Sequence, residues 1–274
     1  MSAPLPAQLA AELSLEDGPD GHFTREITEF WRVEERAYGG YAAALALAGA
    51  VKAGERSVLI SAYVMFLAPT LVGPVTLATS VLRAGRASAA VRSEIIQEDV
   101  CRVSAEAWLG EMPALDGGRP VDAVLPPGPE SFPIASSRDY GFMDAFDERA
   151  VCVPSPAAPP SPPPELDLWV RSRVPRGSSE AHLSQLEDVL LLDAHLMDSA
   201  ARSTSASQPD GRSLDFALWW HHVEPRRDWL LMRTTSGANI DGYVAGSGEL
   251  VTPDATTLVR ATQAGRIFGQ ARRS

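Results

Sequence analysis

Proline constrains the fold of this chain more than any other residue, because it clusters in the middle of the sequence. The chain has 274 residues and 22 prolines, with two proline-rich stretches, LPPGPESFP (125–133) and PSPAAPPSPPP (154–164). Proline lacks a backbone N–H and its ring disrupts helices, so neither stretch forms a helix or a central strand. We predict an N-terminal unit over 1–112, an extended linker over 113–138 and a C-terminal unit over 139–274, with the second stretch as a loop.

Both units show the same order of elements, a helix followed by strands. An Ala- and Leu-rich run predicts a buried helix over 37–54, and apolar residues at helical spacing predict a second over 184–202. A shift of 153 residues superimposes the two patterns and places Gly40 on Asp193. Turn-bounded, β-branched runs predict strands over 22–33, 57–69, 73–85, 86–99, 100–109, 139–151, 166–175, 213–223, 228–237, 238–250 and 255–268. These patterns predict an α+β fold in which each half wraps an antiparallel sheet around a long helix.

Charge and cysteine content exclude several classes of partner. The formal net charge is −11, from 24 Lys and Arg against 35 Asp and Glu, which argues against nucleic acid or an anionic membrane as partner. Two cysteines give neither a disulfide framework nor a Cys-rich metal site. The longest run of small apolar residues, 41–51, is about half of a bilayer span, and residues 1–12 lack the basic region of a secretory signal. We therefore expect a cytoplasmic globular protein.

Each half of the chain contains a series of short motifs, and the order of these motifs resembles that in one protein family. The first half contains GGYAAALALAGA, YVMFLAP, a Gly-Pro-Val strand and RAGR, and the second contains LLLDAHL, RSLDFALWW, DWLLM and ATQAG. In this order they resemble the acyl-CoA thioesterases of the double-hotdog type, the thioesterase II or TesB-like family, over most of residues 20–268. The resemblance implies two tandem hotdog repeats that hydrolyse acyl-CoA to free acid and CoA with an activated water. It also implies a homo-oligomer that needs neither a metal nor a bound cofactor.

The same resemblance implies three catalytic residues. In that family an Asp of the second helix, a Thr or Ser at the start of the next strand and a Gln of the last strand activate the water. The matching positions here are Asp193, Ser213 and Gln263. Serine stands where threonine is commoner, and this exchange keeps the hydroxyl group.

The residue pattern supports these positions unequally. Asp193 lies beside a leucine stripe, and a buried carboxylate usually has a partner or a function; the alternative is an Asp that reaches solvent. Gln263 shares an apolar strand face, where its amide can hold a water or a carboxylate, or can simply bond the backbone. Strict alternation places Ser213 on the face of Asp215, which by itself predicts a strand-start cap. We expect Asp188 to lie in solvent.

Glycine and arginine pairs are the candidate binding groups. Gly39 and Gly40 begin the first helix, where free N–H groups and the helix dipole can polarise a thioester carbonyl, so we predict that they bind substrate together with Tyr41. The alternative for the glycines is plain helix–sheet packing. Arg83 and Arg86 are predicted to contact the phosphates of CoA, and the alternative is a solvated turn.

Two other functions remain open at this point. A hydratase or dehydratase on the same double-hotdog plan would need a His five residues after its Asp, whereas Asp193 has Asp198 at that spacing and His195 only two residues away. A non-catalytic acyl-binding protein would fill the water pocket with a bulky side chain. A metal site is not predicted, because His221 and His222 point to opposite faces of a strand.

Overall fold

Two long helices and one large sheet make up most of the structure. The computed structural model describes residues 4–111, 125–134, 141–151, 165–202, 210–223, 228–237 and 240–268. The helices are α1 (Leu9–Glu12), α2 (Gly39–Gly54) and α3 (Ala181–Arg202). The strands are β1 (Glu16–Asp17), β2 (Phe23–Ile27), β3 (Arg32–Val33), β4 (Arg36–Ala37), β5 (Val58–Phe66), β6 (Gly73–Ala84), β7 (Ser88–Gln97), β8 (Val100–Gly110), β9 (Phe146–Ala150), β10 (Glu165–Ser172), β11 (Asp210–Trp220), β12 (Leu230–Ser236), β13 (Tyr243–Val251) and β14 (Thr257–Phe268).

Twelve of these strands form one antiparallel sheet with an internal symmetry. The strand order is β1-β2-β6-β7-β8-β5-β11-β14-β13-β12-β10-β9, so six strands of each half meet where β5 pairs with β11. Helix α2 packs on the strands of the first half, α3 packs on those of the second, and the two helices pack against each other. One hydrophobic core spans both halves. The predicted α+β arrangement of two helix-and-sheet halves is confirmed.

Helix α2 is buried on almost every side, as its Ala- and Leu-rich sequence predicts. It begins at Gly39, at the predicted Gly-Gly pair, because the backbone of Tyr38 is not helical (φ −57°, ψ 129°). Residues from Gly40 to Val51 are all buried between the sheet and α3. The small alanine side chains allow this close packing, and the helix ends where Glu55 takes a left-handed conformation (φ 50°).

Helix α3 buries polar side chains as well as its leucines. The amide of Gln185 accepts a hydrogen bond from the Leu59 N–H (2.8 Å) and donates one to the Leu59 carbonyl (2.7 Å), so it joins α3 to the first half. Asp188 is only 2% exposed and accepts a hydrogen bond from Trp220 Nε1 at 3.1 Å. The prediction that Asp188 lies in solvent is therefore wrong, because β11 covers this side of the helix.

Two predicted strands are interrupted by short 3-10 helices. The run 22–33 contains β2 and β3, separated by a turn at Glu29–Trp31. The run 139–151 contains β9, preceded by a turn at Gly141–Ala145. This second turn places Phe142 in the core, where its ring stacks on Tyr38 with 4.1 Å between centroids. The interruption therefore brings an aromatic side chain of the second half to the start of α2.

Part of the proline-rich region packs against the second half. Trp169 Nε1 donates a hydrogen bond to the Pro127 carbonyl (2.9 Å), and Arg149 Nη1 donates to the carbonyls of Pro129 and Phe132 (2.8 Å each). Residues 125–134 are thus held on the sheet by bonds to their backbone. The rest of the linker and the predicted loop at 154–164 lie outside the described residues, and the domain boundaries stay a prediction.

The close approach of α2 to the sheet leads to a stability prediction. A Cβ atom at Gly49 would lie 2.7 Å from Ser93 Oγ and 2.9 Å from Leu77 Cδ2, closer than packed atoms tolerate. We expect Gly49→Ala to lower the free energy of unfolding by about 1–3 kcal/mol, although alanine favours helix formation. In a Ser93→Ala background the loss should shrink by about 1 kcal/mol, because the nearest atom is gone. Urea denaturation of the four proteins measures this coupling, and strictly additive effects would contradict the steric explanation.

Candidate active site

A buried carboxylate lies where the two halves of the molecule meet. Asp193 of α3 is 3% exposed, and its Oδ1 accepts hydrogen bonds from Ser213 Oγ at 3.1 Å and from Gln263 Nε2 at 2.5 Å. The backbone N–H of Gly40, at the start of α2, lies close enough to this carboxylate to favour its charged form. Two helices and two strands therefore converge on one ionisable group.

A β-bulge turns Ser213 toward this carboxylate. The pairing of β11 with β14 shifts between Ser213 and Asp215, so Leu214 is the extra residue. The bulge reverses the alternation, which leaves Leu214 and Trp219 exposed while Ser213 turns inward to Asp193. Predicting a shared face for Ser213 and Asp215 was wrong, because strict alternation does not allow for the extra residue.

Gln263 faces the carboxylate from the inner side of β14, as its apolar strand face predicts. It is 3% exposed, and its Nε2 lies 2.9 Å from Ser213 Oγ as well as close to Asp193. Its Oε1 is buried and has no hydrogen-bond partner among the described residues. The amide therefore binds the carboxylate through its nitrogen and leaves an oxygen able to accept a hydrogen bond.

Burial sets the ionisation of Asp193. Loss of hydration raises the pKa of this carboxyl group from its ordinary 3.8 to about 6. Hydrogen bonds from Gln263, Ser213 and the Gly40 N–H act in the opposite direction, because they stabilise the charged form. The group is thus largely ionised at neutral pH and a stronger base than an exposed aspartate.

The two glycines at the start of α2 have different surroundings. A Cβ atom on Gly39 would lie 3.2 Å from Asp193 Oδ2 and 3.6 Å from Phe66 Cε1, so this missing side chain leaves room beside the carboxylate. A Cβ atom on Gly40 would lie 2.5 Å from the Tyr38 hydroxyl oxygen. The absent Cβ of Gly40 therefore makes room for Tyr38, and that of Gly39 makes room at the site.

The side chains of the other predicted binding residues contact groups other than the carboxylate. The Tyr41 hydroxyl donates a hydrogen bond to the Glu12 carbonyl (2.8 Å), and its ring stacks on Trp31 with 4.6 Å between centroids. The Tyr41 side chain is thus part of the N-terminal core, while substrate binding by the Tyr41 backbone at the helix start stays a prediction. Arg83 and Arg86 are exposed at the β6–β7 turn, where Arg83 lies over the ring of Trp108 (5.9 Å), and their contact with CoA stays a prediction.

Tyr38 is the neighbour of the site that the sequence analysis missed. Its hydroxyl donates a hydrogen bond of 2.5 Å to the Leu190 carbonyl, within the turn of α3 that carries Asp193. Burial first, and the charge of Asp193 second, raise the pKa of Tyr38 well above its ordinary 10, so the hydroxyl keeps its proton. The available signal was an aromatic hydroxyl directly before the Gly39–Gly40 pair.

A buried histidine lies close to the carboxylate in sequence. His195 Nδ1 lies 2.6 Å from the Leu191 carbonyl, and its Nε2 lies 3.3 Å from Glu148 Oε1. Nδ1 therefore bonds the backbone of its own helix, and Nε2 lies beside Glu148. Across the described ranges, no three His, Cys, Asp or Glu side chains lie together as a metal site requires.

Comparison with family models gives matches over both halves. The acyl-CoA thioesterase N-terminal domain matches residues 27–110, and the acyl-CoA thioesterase C-terminal domain matches residues 120–267. Among curated protein sequences, none matches this chain. None of the described helices combines the length and the apolar character that crossing a membrane requires.

Solved structures share the fold at low sequence identity. An acyl-CoA thioesterase II, TesB2, of Mycobacterium marinum superimposes with a TM-score of 0.78 and 19% identity over 96% of this chain and 99% of its own. The tesB protein of Mycobacterium avium subsp. paratuberculosis gives a TM-score of 0.80 and 19% identity over 95% and 98%. A hot dog fold protein of Alicyclobacillus acidocaldarius gives 0.77 and 19% over 96% and 98%. The predicted double hotdog fold is thereby confirmed.

The raised pKa of Asp193 leads to a prediction about stability and pH. Folding favours the protonated carboxyl, so ionisation destabilises the native state as pH rises from the ordinary pKa of 3.8 through about 6. The full difference corresponds to at most about 3 kcal/mol above pH 7. We expect the free energy of unfolding of the wild type to fall, relative to Asp193→Asn, by about 2 kcal/mol between pH 4.5 and pH 7.5, because part of the difference already exists at pH 4.5. Urea denaturation across this range measures the difference, and a constant difference would contradict the assignment.

Proposed function

Because this chain belongs to the acyl-CoA thioesterase family, we propose that it hydrolyses acyl-CoA with a water molecule that Asp193 activates. Thioester hydrolysis is the activity of the family, and the water-activating residues are our assignment. The observation that carries it is the buried carboxylate of Asp193, which Ser213, Gln263 and the first turn of α2 contact together. A costly buried charge with three donors aimed at it is a group arranged for chemistry.

Asp193 acts as the general base in this proposal. A pKa of about 6 leaves the carboxylate mostly ionised at neutral pH while making it more basic than an exposed aspartate. Ser213 and Gln263 hold Oδ1, and the room that Gly39 leaves lies beside Oδ2. A water there donates one hydrogen to Asp193 and directs its oxygen at the thioester carbon. The free Oε1 of Gln263 is the acceptor for its second hydrogen.

The start of α2 stabilises the charge that develops on the thioester oxygen. The first N–H groups of a helix have no partner within it, and the helix dipole favours negative charge there. Attack forms a tetrahedral intermediate whose oxyanion lies at this helix end. When the C–S bond breaks, the CoA sulfur leaves as a thiolate and takes the proton that Asp193 removed from the water. The products are the free acid and CoA, and Asp193 is ionised again.

The two rival functions fit the described residues less well. A hydratase or dehydratase needs a histidine that works with the acid, whereas His195 is directed at the Leu191 carbonyl and at Glu148. A non-catalytic acyl-binding protein would have a bulky side chain at the carboxylate, whereas Gly39 leaves that space open. Both observations favour hydrolysis.

The proposal is tested by replacing each of two matched aspartates of α3, in separate variants, with asparagine. Asp193→Asn keeps the volume but cannot accept the proton, so we expect kcat/KM for acyl-CoA to fall by about 10²–10⁴-fold. Asp188→Asn is the control, because Asp188 is equally buried but bonded to Trp220 outside the site. Release of free thiol from a panel of acyl-CoAs measures both variants. If Asp193→Asn stays within threefold of wild type while folded, the base is another group.

The role of Ser213 leads to a separate prediction within the same assay. Ser213→Thr keeps the hydroxyl that donates to Asp193 Oδ1, so we expect activity within about fivefold of wild type. Ser213→Ala removes a hydrogen bond to a charged group, typically about 1.5–3 kcal/mol, so we expect activity at least about tenfold lower. Equal activities of the two variants would show that the hydroxyl is not needed.

We also propose that these side chains need no metal or bound cofactor, since Asp193, Ser213 and Gln263 suffice to deprotonate and hold water. Dialysis against EDTA should leave kcat/KM unchanged, and a loss of activity restored by a divalent cation would contradict this. Self-association and a cytoplasmic location stay predictions. The exposed Tyr63 and Trp219 on the central strands are the apolar surface on which self-association would rest.

A further inference from the structure

We propose that Tyr38 is a positioning residue that holds the Asp193-bearing turn of α3 at a fixed distance from the first turn of α2. The inference rests on the proposed function, because it assigns Tyr38 to the placement of the general base. Tyr38 itself does not touch the reacting atoms in this proposal.

The first observation is where the Tyr38 hydroxyl lies in α3. In a regular α-helix the N–H of Ala194 bonds directly to the carbonyl of Leu190, four residues earlier. The Tyr38 hydroxyl donates to that carbonyl at 2.5 Å, and the N–H of Ala194 lies near the same phenolic oxygen. The hydroxyl therefore contacts both partners of one helix hydrogen bond. Asp193 lies between them in sequence, so its backbone position depends on this contact.

The second observation is how rigidly Tyr38 itself is held. Its ring is 4% exposed and stacks on Phe142 with 4.1 Å between centroids. The ring also stacks on Trp31 with 6.4 Å between centroids, and its hydroxyl oxygen lies 2.5 Å from where Gly40 would carry its Cβ. A ring fixed on both faces has little freedom to follow movements of α3, so it acts as a spacer between the helices.

The third observation connects this spacer to the chemistry. Tyr38 directly precedes Gly39 and Gly40; Asp193 Oδ2 lies 3.2 Å from where Gly39 would carry its Cβ, and the nearby Gly40 N–H favours the charged carboxylate. One residue thus fixes both the helix end that binds the carboxylate and the turn from which the carboxylate projects. Errors of about 1 Å in such placements reduce rates by up to about 10²-fold. Removing the hydroxyl should therefore affect kcat more than KM.

Tyr38→Phe tests this inference, because phenylalanine keeps the ring and its stacking but loses the hydroxyl. The control is Tyr41→Phe, which removes a buried hydroxyl that donates to the Glu12 carbonyl in the N-terminal core. For Tyr38→Phe we expect kcat to fall about five- to tenfold with KM within twofold. We also expect the acidic limb of the kcat/KM–pH profile to move to higher pH, because Asp193 loses part of its contact with Gly40. Tyr41→Phe should lower only the melting temperature.

The outcomes separate this inference from the proposed function. If Tyr38→Phe matches Tyr41→Phe in kcat or in the position of the acidic limb, Tyr38 is a packing residue and the inference is wrong. That result would leave the role of Asp193 intact, since Asp193→Asn tests it independently. If Tyr38→Phe does not fold, Phe142→Leu loosens the ring without removing the hydroxyl and is judged by the same two criteria.

Discussion

The contact between the start of α2 and the Asp193 carboxylate joins the two halves of the molecule at the proposed site. A carboxylate with 3% exposure is stable as an anion only where donors replace its lost hydration, and here they come from α2, β11 and β14. Helix α2 belongs to the first half, whereas β11 and β14 belong to the second half with Asp193. The pairing of β5 with β11 and the packing of α2 on α3 are what bring them together.

The fold could be read from the sequence because its elements follow their periodicities closely. The Ala- and Leu-rich run of α2 is buried on all sides, and Gln263 lies on the apolar strand face that alternation predicts. The misjudged residues are those whose environment is set by distant parts of the chain. Asp188 looks like a surface residue in sequence, but the Trp220 side chain of β11 covers it.

The site was harder to predict than the fold, because two of its features leave no periodic signal. The bulge at Leu214 reverses the face of Ser213, and an extra residue in a strand is visible only from its pairing with β14. The hydrogen bond from the Tyr38 hydroxyl to the Leu190 carbonyl joins residues more than 150 positions apart in the chain. The family resemblance gave the positions of Ser213 and Asp193. The bulge explains why the Ser213 hydroxyl points inward although the alternation along β11 places it on the outer face.

The two long helices are placed differently at the junction of the halves, and this determines how many proposed sites they can form. Helix α2 begins at the junction, whereas α3 starts at Ala181 and runs past it, with Asp193 in its middle. A helix end and a helix interior cannot exchange roles, so the pseudo-twofold relation between the halves does not generate a second centre. In the proposed mechanism each half is an incomplete enzyme, one contributing an electrophilic helix end and the other a base. In that mechanism the two structural repeats in the described part of the chain therefore form one catalytic unit together.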